Sequence, residues 1–72
     1  MLREGIVRGI NSFGATIDKV ENGCVYITVP AESDQLDADG IPMCGNHLAK
    51  RVKRLIVAYC GDKYKVLYRE KK

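Results

Sequence analysis

The sequence lacks a long apolar run, and its cysteine count is odd. No hydrophobic stretch approaches the roughly 20 residues that a membrane-spanning helix requires. The charged residues Arg3 and Glu4 stand where a secretory signal would have its apolar segment. Three cysteines cannot all pair within one chain, so reduced thiols are expected. These features predict a protein of the cytoplasm, or of the nucleus in a eukaryote, that makes no contact with membranes.

Enzyme motifs are also missing. The chain has no glycine-rich phosphate loop, no Gly-x-Ser-x-Gly segment and only one histidine. Cys44 and His47 form too local a pair to imply an activated nucleophile without a third, orienting group. We therefore predict a non-enzymatic protein with no cofactor and no small-molecule substrate.

One pattern of cysteine and histidine raises the question of a metal ion. Cys44-x-x-His47 is a loop pair that Cys24 and Cys60 could complete to a Cys3His zinc set. Structural zinc sites usually show two closely spaced pairs, whereas this chain has one, and small thiols buried in strands are common. The interpretation that we favour is that none of these residues binds metal.

The length limits the chain to one domain. A polypeptide of 72 residues buries only about 60% of its unfolded surface, which leaves no room for a second core. Hydrophobic residues make up 46% and charged residues 29%, the balance of an ordinary folded domain. We predict that residues 1–72 form a single small domain.

Charge is distributed unevenly along the chain. Residues 1–49 hold three lysines or arginines against seven acids, whereas residues 50–72 hold nine against two. The small net charge of +3 therefore conceals a basic C-terminal third. Clustered cations attract polyanions more strongly than the total charge suggests, and nucleic acid is the commonest intracellular polyanion. The alternative is that these cations only keep the outer faces of two strands soluble.

The first half of the chain predicts three strands. Residues 4–10 have no sustained helical spacing and contain two glycines, which favours an extended strand. A second strand over residues 15–20 and a third over residues 24–29 flank Asn22-Gly23, the strongest hairpin signal in the sequence. In the third strand, Val25, Ile27 and Val29 share one face and Tyr26 lies on the other.

The second half predicts a loop, a helical turn and two more strands. Residues 31–46 carry four acids and no base and are interpreted as a long surface loop, after which Asn46 could cap a short helix to Lys50. The apolar run 55–60 predicts a buried strand, and residues 61–63 turn the chain into a fifth strand over residues 64–69. Residues 70–72 are expected to fray. Five short strands and one short helical turn predict an all-β fold, a small OB-like or SH3-like barrel.

The order of these signals resembles the oligonucleotide-binding barrels of the S1 and translation initiation factor one type. The resemblance lies in Gly5-x-Val7, Glu21-Asn22-Gly23, Lys50-x-x-Lys53-x-x-Ile56 and Gly61-Asp62-Lys63, which follow one another as the family's landmarks do. It covers about two-thirds of the chain, with residues 31–46 as an insertion. It implies that the basic stretch at residues 50–54 touches the RNA backbone.

Two functions follow as expectations. The first is a nucleic-acid-binding barrel, with RNA favoured over DNA, whose cations neutralise phosphates and whose exposed ring stacks on a base. The second is a structural or adaptor protein in a larger assembly, such as a viral assembly component or an inhibitor, that acts through the acidic loop and apolar strand edges. The residues predicted to contact nucleic acid are Lys50, Arg51, Lys53, Arg54, Lys63, Lys65, Arg69 and Tyr26.

Overall fold

Two helices pack on one face of a three-stranded sheet in the computed structural model, which describes residues 2–71. The predicted five-stranded all-β barrel is therefore wrong, because the sheet is open and two of the expected strands are helical. The elements are, in chain order, α1 (Glu4–Ser12), β1 (Thr16–Glu21), β2 (Cys24–Pro30), α2 (Gly45–Cys60), a 3-10 turn (Gly61–Lys63) and β3 (Lys65–Lys71).

Helix α1 replaces the first predicted strand. Leu2, Ile6 and Ile10 recur every four residues, the spacing of one helix face, and all three are buried in the core. Gly9 lies where α1 meets α2, since a β-carbon there would come within 3.1 Å of Cδ2 of Leu55. Each glycine in the helix costs free energy relative to alanine, but burial of this apolar face contributes more to the stability of α1.

The β1–β2 hairpin confirms the strongest local signal. Asn22 and Gly23 adopt φ values of 50° and 78°, the left-handed geometry that the tight turn requires. The two strands pair antiparallel from Thr16 opposite Thr28 to Glu21 opposite Cys24, with a bulge at Asp18.

Helix α2 replaces both the short helical turn and the fourth predicted strand. It runs for 16 residues from Gly45, so residues 55–60 are helical and the acidic loop ends at Cys44. Leu48, Val52 and Ile56 are fully buried at a spacing of four residues. The apolar run 55–60 taken alone is typical of a buried strand. Its helical period becomes visible only when residues 48 and 52 are counted with it.

Strand β3 confirms the fifth predicted strand but not its partner. Instead of forming a hairpin with a preceding strand, β3 lies parallel to β2, from Cys24 opposite Lys65 to Pro30 opposite Lys71. Parallel neighbours need a crossover connection, which α2 supplies. Glu70 belongs to β3 instead of fraying, and Lys72 lies outside the described residues.

The core lies between the sheet and the helices. Val25, Ile27 and Val29 of β2 point into it, as the strand alternation predicted, and each is at most 1% exposed. The opposite face of the sheet is therefore left without a covering layer among residues 2–71. Neither helix of this described part is long and apolar enough to cross a membrane.

Candidate nucleic-acid interface

The uncovered face of the sheet carries an unusual set of side chains. Alternation along β2 gives its central row, and the residues that pair with this row in β1 and β3 lie on either side of it. The bulge in β1 adds Asp18, whose carboxylate accepts a hydrogen bond from Thr28. We call this surface the open face. Its residues are Thr16, Asp18, Lys19 and Glu21 from β1, Cys24, Tyr26, Thr28 and Pro30 from β2, and Lys65, Leu67, Arg69 and Lys71 from β3.

An aromatic and an aliphatic side chain occupy the middle of the open face. Tyr26 is half-buried and lies opposite Leu67 in the β2–β3 register. Leu67 is 46% exposed, which is high for a leucine in a strand. Together with Lys19 and Arg69 they line a shallow cavity of about 350 Å³. This centre offers apolar and aromatic contact area within reach of cations.

Lys19 lies over the ring of Tyr26. Its ammonium is 4.7 Å from the ring centroid, within the range of a cation–π interaction, and 3.2 Å from the carboxylate of Glu21. The lysine is exposed and flexible, so a ligand group that stacks on Tyr26 can displace it at small cost.

A polar network joins the three strands beside this centre. The Thr28 hydroxyl donates to Oδ2 of Asp18 at 2.7 Å, and Nε of Arg69 donates to Oγ1 of Thr28 at 3.0 Å. The same Nε lies 3.5 Å from the Asp18 carboxylate. The Arg69 side chain remains 76% exposed, so its terminal nitrogens can still donate to a phosphate.

The predicted contact residues divide into three places. Tyr26, Lys65 and Arg69 lie together on the open face. Lys63 lies in the 3-10 turn between α2 and β3. The densest basic segment lies in α2, in the layer behind the sheet, so the predicted cations do not converge on one surface; that segment comprises Lys50, Arg51, Lys53 and Arg54.

Sequence reasoning missed the residues that complete the open face. Lys19 and Leu67 flank Tyr26, and Lys71 lies at the end of β3. Alternation along β1 and β3 could have placed Lys19 and Leu67 beside Tyr26 had the strand order been known. The order was hidden because β2 and β3 pair across about forty intervening residues.

The candidate zinc ligands lie apart. Cys44 precedes the first residue of α2 and Cys60 is its last, which separates them by about 24 Å of helix, and Cys24 lies on the open face. No group of three or more histidine, cysteine, aspartate or glutamate side chains in residues 2–71 lies close enough to hold a metal ion. The three cysteines are unpaired thiols.

His47 contacts the side chain of Asp37 in the acidic loop. Its Nε2 lies 2.5 Å from Oδ2 of Asp37, whose side chain is only 3% exposed. The other carboxylate oxygen accepts the backbone N–H groups of Asp39 and Ile41 at 2.8 and 2.9 Å. The hydrogen bond from Ile41, with those from His47 and Asp39, holds the pKa of Asp37 below its usual value against the opposing effect of burial. This contact fastens the acidic loop to α2.

Comparisons of the chain with protein-family models, with curated proteins and with solved structures found no match. They do not test the resemblance to the initiation-factor type, which stays a prediction from sequence motifs. The proposed function therefore depends on the residues of the open face.

Proposed function

We propose that this protein binds single-stranded nucleic acid on the open face and performs no catalysis. One observation carries the proposal: the ring of Tyr26 and the side chain of Leu67 lie in the middle of an uncovered sheet face that also bears Lys19, Lys65, Arg69 and Lys71. Stacking on an aromatic ring contributes about 1–3 kcal/mol per base. Cations beside the ring bind the phosphates that connect the stacked bases.

A single strand fits this surface better than a duplex does. The open face is a shallow surface in which the aromatic side chain is half-buried, so a base must be unstacked from its neighbours to reach it. RNA is the favoured polymer because its loops and ends display such unpaired bases. The cytoplasm, where RNA is abundant and thiols stay reduced, is the compartment that we propose.

The basic face of α2 contributes differently in this proposal. Lys50, Lys53 and Arg54 are exposed on the helix, in the layer behind the sheet. Lys50 and Lys53 line a groove with Tyr68 on the other side of the sheet from Tyr26. In this proposal the helix cations therefore supply long-range attraction of the polymer and do not contact a base that stacks on Tyr26. The contributions of the two sets of cations to RNA affinity can therefore be measured separately.

The test is fluorescence anisotropy with a labelled twelve-residue single-stranded RNA of mixed sequence. We expect Tyr26→Ala to weaken binding about tenfold and Tyr26→Phe to bind nearly as the wild type does, because the ring and not the hydroxyl stacks. Replacing Lys65 and Arg69 by glutamine should weaken binding and reduce the slope of log Kd against log salt by about 1.4.

The matched control replaces Lys50, Lys53 and Arg54 by glutamine. These changes should reduce affinity at low salt and leave the loss caused by Tyr26→Ala unchanged. The proposal fails if the Tyr26→Ala protein, shown to be folded by circular dichroism, binds the RNA as tightly as the wild type. It fails equally if only the helix variant loses binding.

A further inference from the structure

Strand β3 forms an edge of the sheet with free backbone groups. The N–H of Lys65 donates to Gly23 and the C=O of Lys71 accepts from Ala31, so these two residues turn their backbone groups toward β2. Alternate residues of a strand direct these groups to the same side. Val66, Tyr68 and Glu70 therefore direct their N–H and C=O groups outward, to an edge that no other strand of residues 2–71 covers.

The two edges of the sheet are unequal. β1 has a bulge at Asp18, which interrupts the strand and obstructs pairing with another strand. β3 has seven residues in unbroken register with β2, contains no proline and exposes Leu67 and Tyr68 by 46% and 43%. Only β3 is thus prepared to accept a further strand.

A groove runs along this edge on the helix side. It has a volume of about 240 Å³ and lies between α2 and β3. Its floor contains Ala49, Val66 and Tyr68, whose hydroxyl donates to Asn46 at 3.4 Å. Lys50 and Lys53, both exposed, also line it. Side chains of a strand added to β3 would enter this groove at every second position.

We infer that the β3 edge binds an extended acidic peptide segment of another protein as a fourth strand. Main-chain pairing with Val66, Tyr68 and Glu70 supplies the geometry of strand addition. Carboxylates on one side of the added strand reach Lys50 and Lys53, and those on the other side reach Lys65 and Arg69. The one acidic residue of β3, Glu70, directs its carboxylate to the start of α2, where a β-carbon on Gly45 would lie 2.8 Å from Oε1.

Charge argues against a second copy of β3 as the occupant. An antiparallel pair centred on Tyr68 would place Lys65 of each copy opposite Lys71 of the other and Leu67 opposite Arg69. Like charges directly opposite each other destabilise a sheet. An acidic strand meets the same positions with complementary charge, and nucleic acid has no peptide backbone with which to extend the ladder of the sheet.

The test uses a blocked nine-residue peptide in which pairs of glutamates alternate with pairs of valines, so that carboxylates face both sides of the extended strand. It is titrated into the ¹⁵N-labelled protein at low salt. We expect saturable shifts centred on the amides of Val66, Tyr68 and Glu70, and slower hydrogen exchange at the same three amides. Two controls are the lysine–valine peptide and the glutamate–valine peptide methylated at alternate backbone nitrogens, neither of which should bind.

The matched variant is Tyr68→Pro. The N–H of Tyr68 points outward, so proline removes a donor from the free edge and none from the β2–β3 ladder. We expect this variant to keep its β-sheet circular dichroism and to bind the peptide at least about tenfold more weakly. Replacing Lys50 and Lys53 by glutamine should also weaken binding, with the largest loss at low salt and a smaller one at high salt. Equal binding of the methylated peptide would overturn the inference, as would shifts confined to the open face or self-association through β3.

Discussion

Asp18 and Arg69 face each other across the open face, with Oδ2 of the carboxylate 3.5 Å from Nε of the guanidinium and the Thr28 hydroxyl bonded to both. The acid comes from β1, the arginine from β3 and the threonine from the strand between them. The arrangement orients the arginine, and it also places a negative charge beside the surface that would receive phosphates.

Removing that charge should strengthen RNA binding. Asp18→Asn keeps an oxygen acceptor for Thr28 but no longer repels phosphates, so we expect affinity to rise about threefold at low salt and less at high salt. The control is Glu4→Gln, which changes the net charge equally but breaks only the exposed ion pair with Arg8 on α1. An equal gain from Glu4→Gln in fluorescence anisotropy would show that total charge, and not the open face, controls binding.

The two glycines of α1 should respond oppositely to substitution. A β-carbon at Gly5 meets no atom within 4 Å, so Gly5→Ala should raise the free energy of unfolding by up to about 1 kcal/mol through helix propensity. A β-carbon at Gly9 would lie 3.1 Å from Cδ2 of Leu55, so Gly9→Leu should lower the free energy of unfolding by about 1–3 kcal/mol by overpacking the helix contact. Urea denaturation followed by circular dichroism measures both values; a stabilised Gly9→Leu would refute the close α1–α2 packing.

Asp37 should make stability depend on pH. Because folding lowers the pKa of this carboxyl, its contribution is complete above the ordinary value of about 4 and is lost as the pH falls through the lower, folded-state value. Asp37→Asn should therefore reduce the thermal midpoint at pH 7, and the difference from the wild type should shrink toward pH 2. The matched control is Asp34→Asn, at an exposed position of the same loop, which should leave the thermal midpoint at pH 7 nearly unchanged.

The buried face of α2 should dominate the stability of the domain. Ile56 is fully buried, and Ile56→Ala should lower the free energy of unfolding by about 2–5 kcal/mol, because it removes buried surface and leaves a cavity. Val57 is 38% exposed on the adjoining face, and Val57→Ala should change the same quantity by less than about 1 kcal/mol. If urea denaturation shows similar losses of stability for the two variants, the observed orientation of α2 is contradicted.

Local signals in the sequence predicted correctly those features that depend on residues close together in the chain. Asn22-Gly23 predicted the hairpin, and alternation placed Val25 in the core and Tyr26 on the opposite face. Helix α1 was predictable in part, since Leu2, Ile6 and Ile10 have its four-residue spacing. Gly9 counts against a helix until its close approach to Leu55 is known, and that contact is tertiary. A propensity argument at single residues cannot see that compensation.

The candidate site was only partly predictable for the same reason. Tyr26, Lys65 and Arg69 were identified from their chemistry, and all three lie on the open face. Nothing local shows that β3 returns to lie beside β2 with α2 as the crossover, and this topology separates the lysines of α2 from those of β3. Charge clustered along a sequence need not be clustered in space.

The parallel pairing of β2 with β3 also sets an order of events during synthesis. Residues 24–30 leave the ribosome well before residues 65–71, at a rate of about 5–20 residues per second. For those seconds the nascent chain can form its hairpin and α1, while the side of β2 that β3 will cover stays open. Once β3 has paired, the N–H and C=O groups on that side of β2 are no longer free.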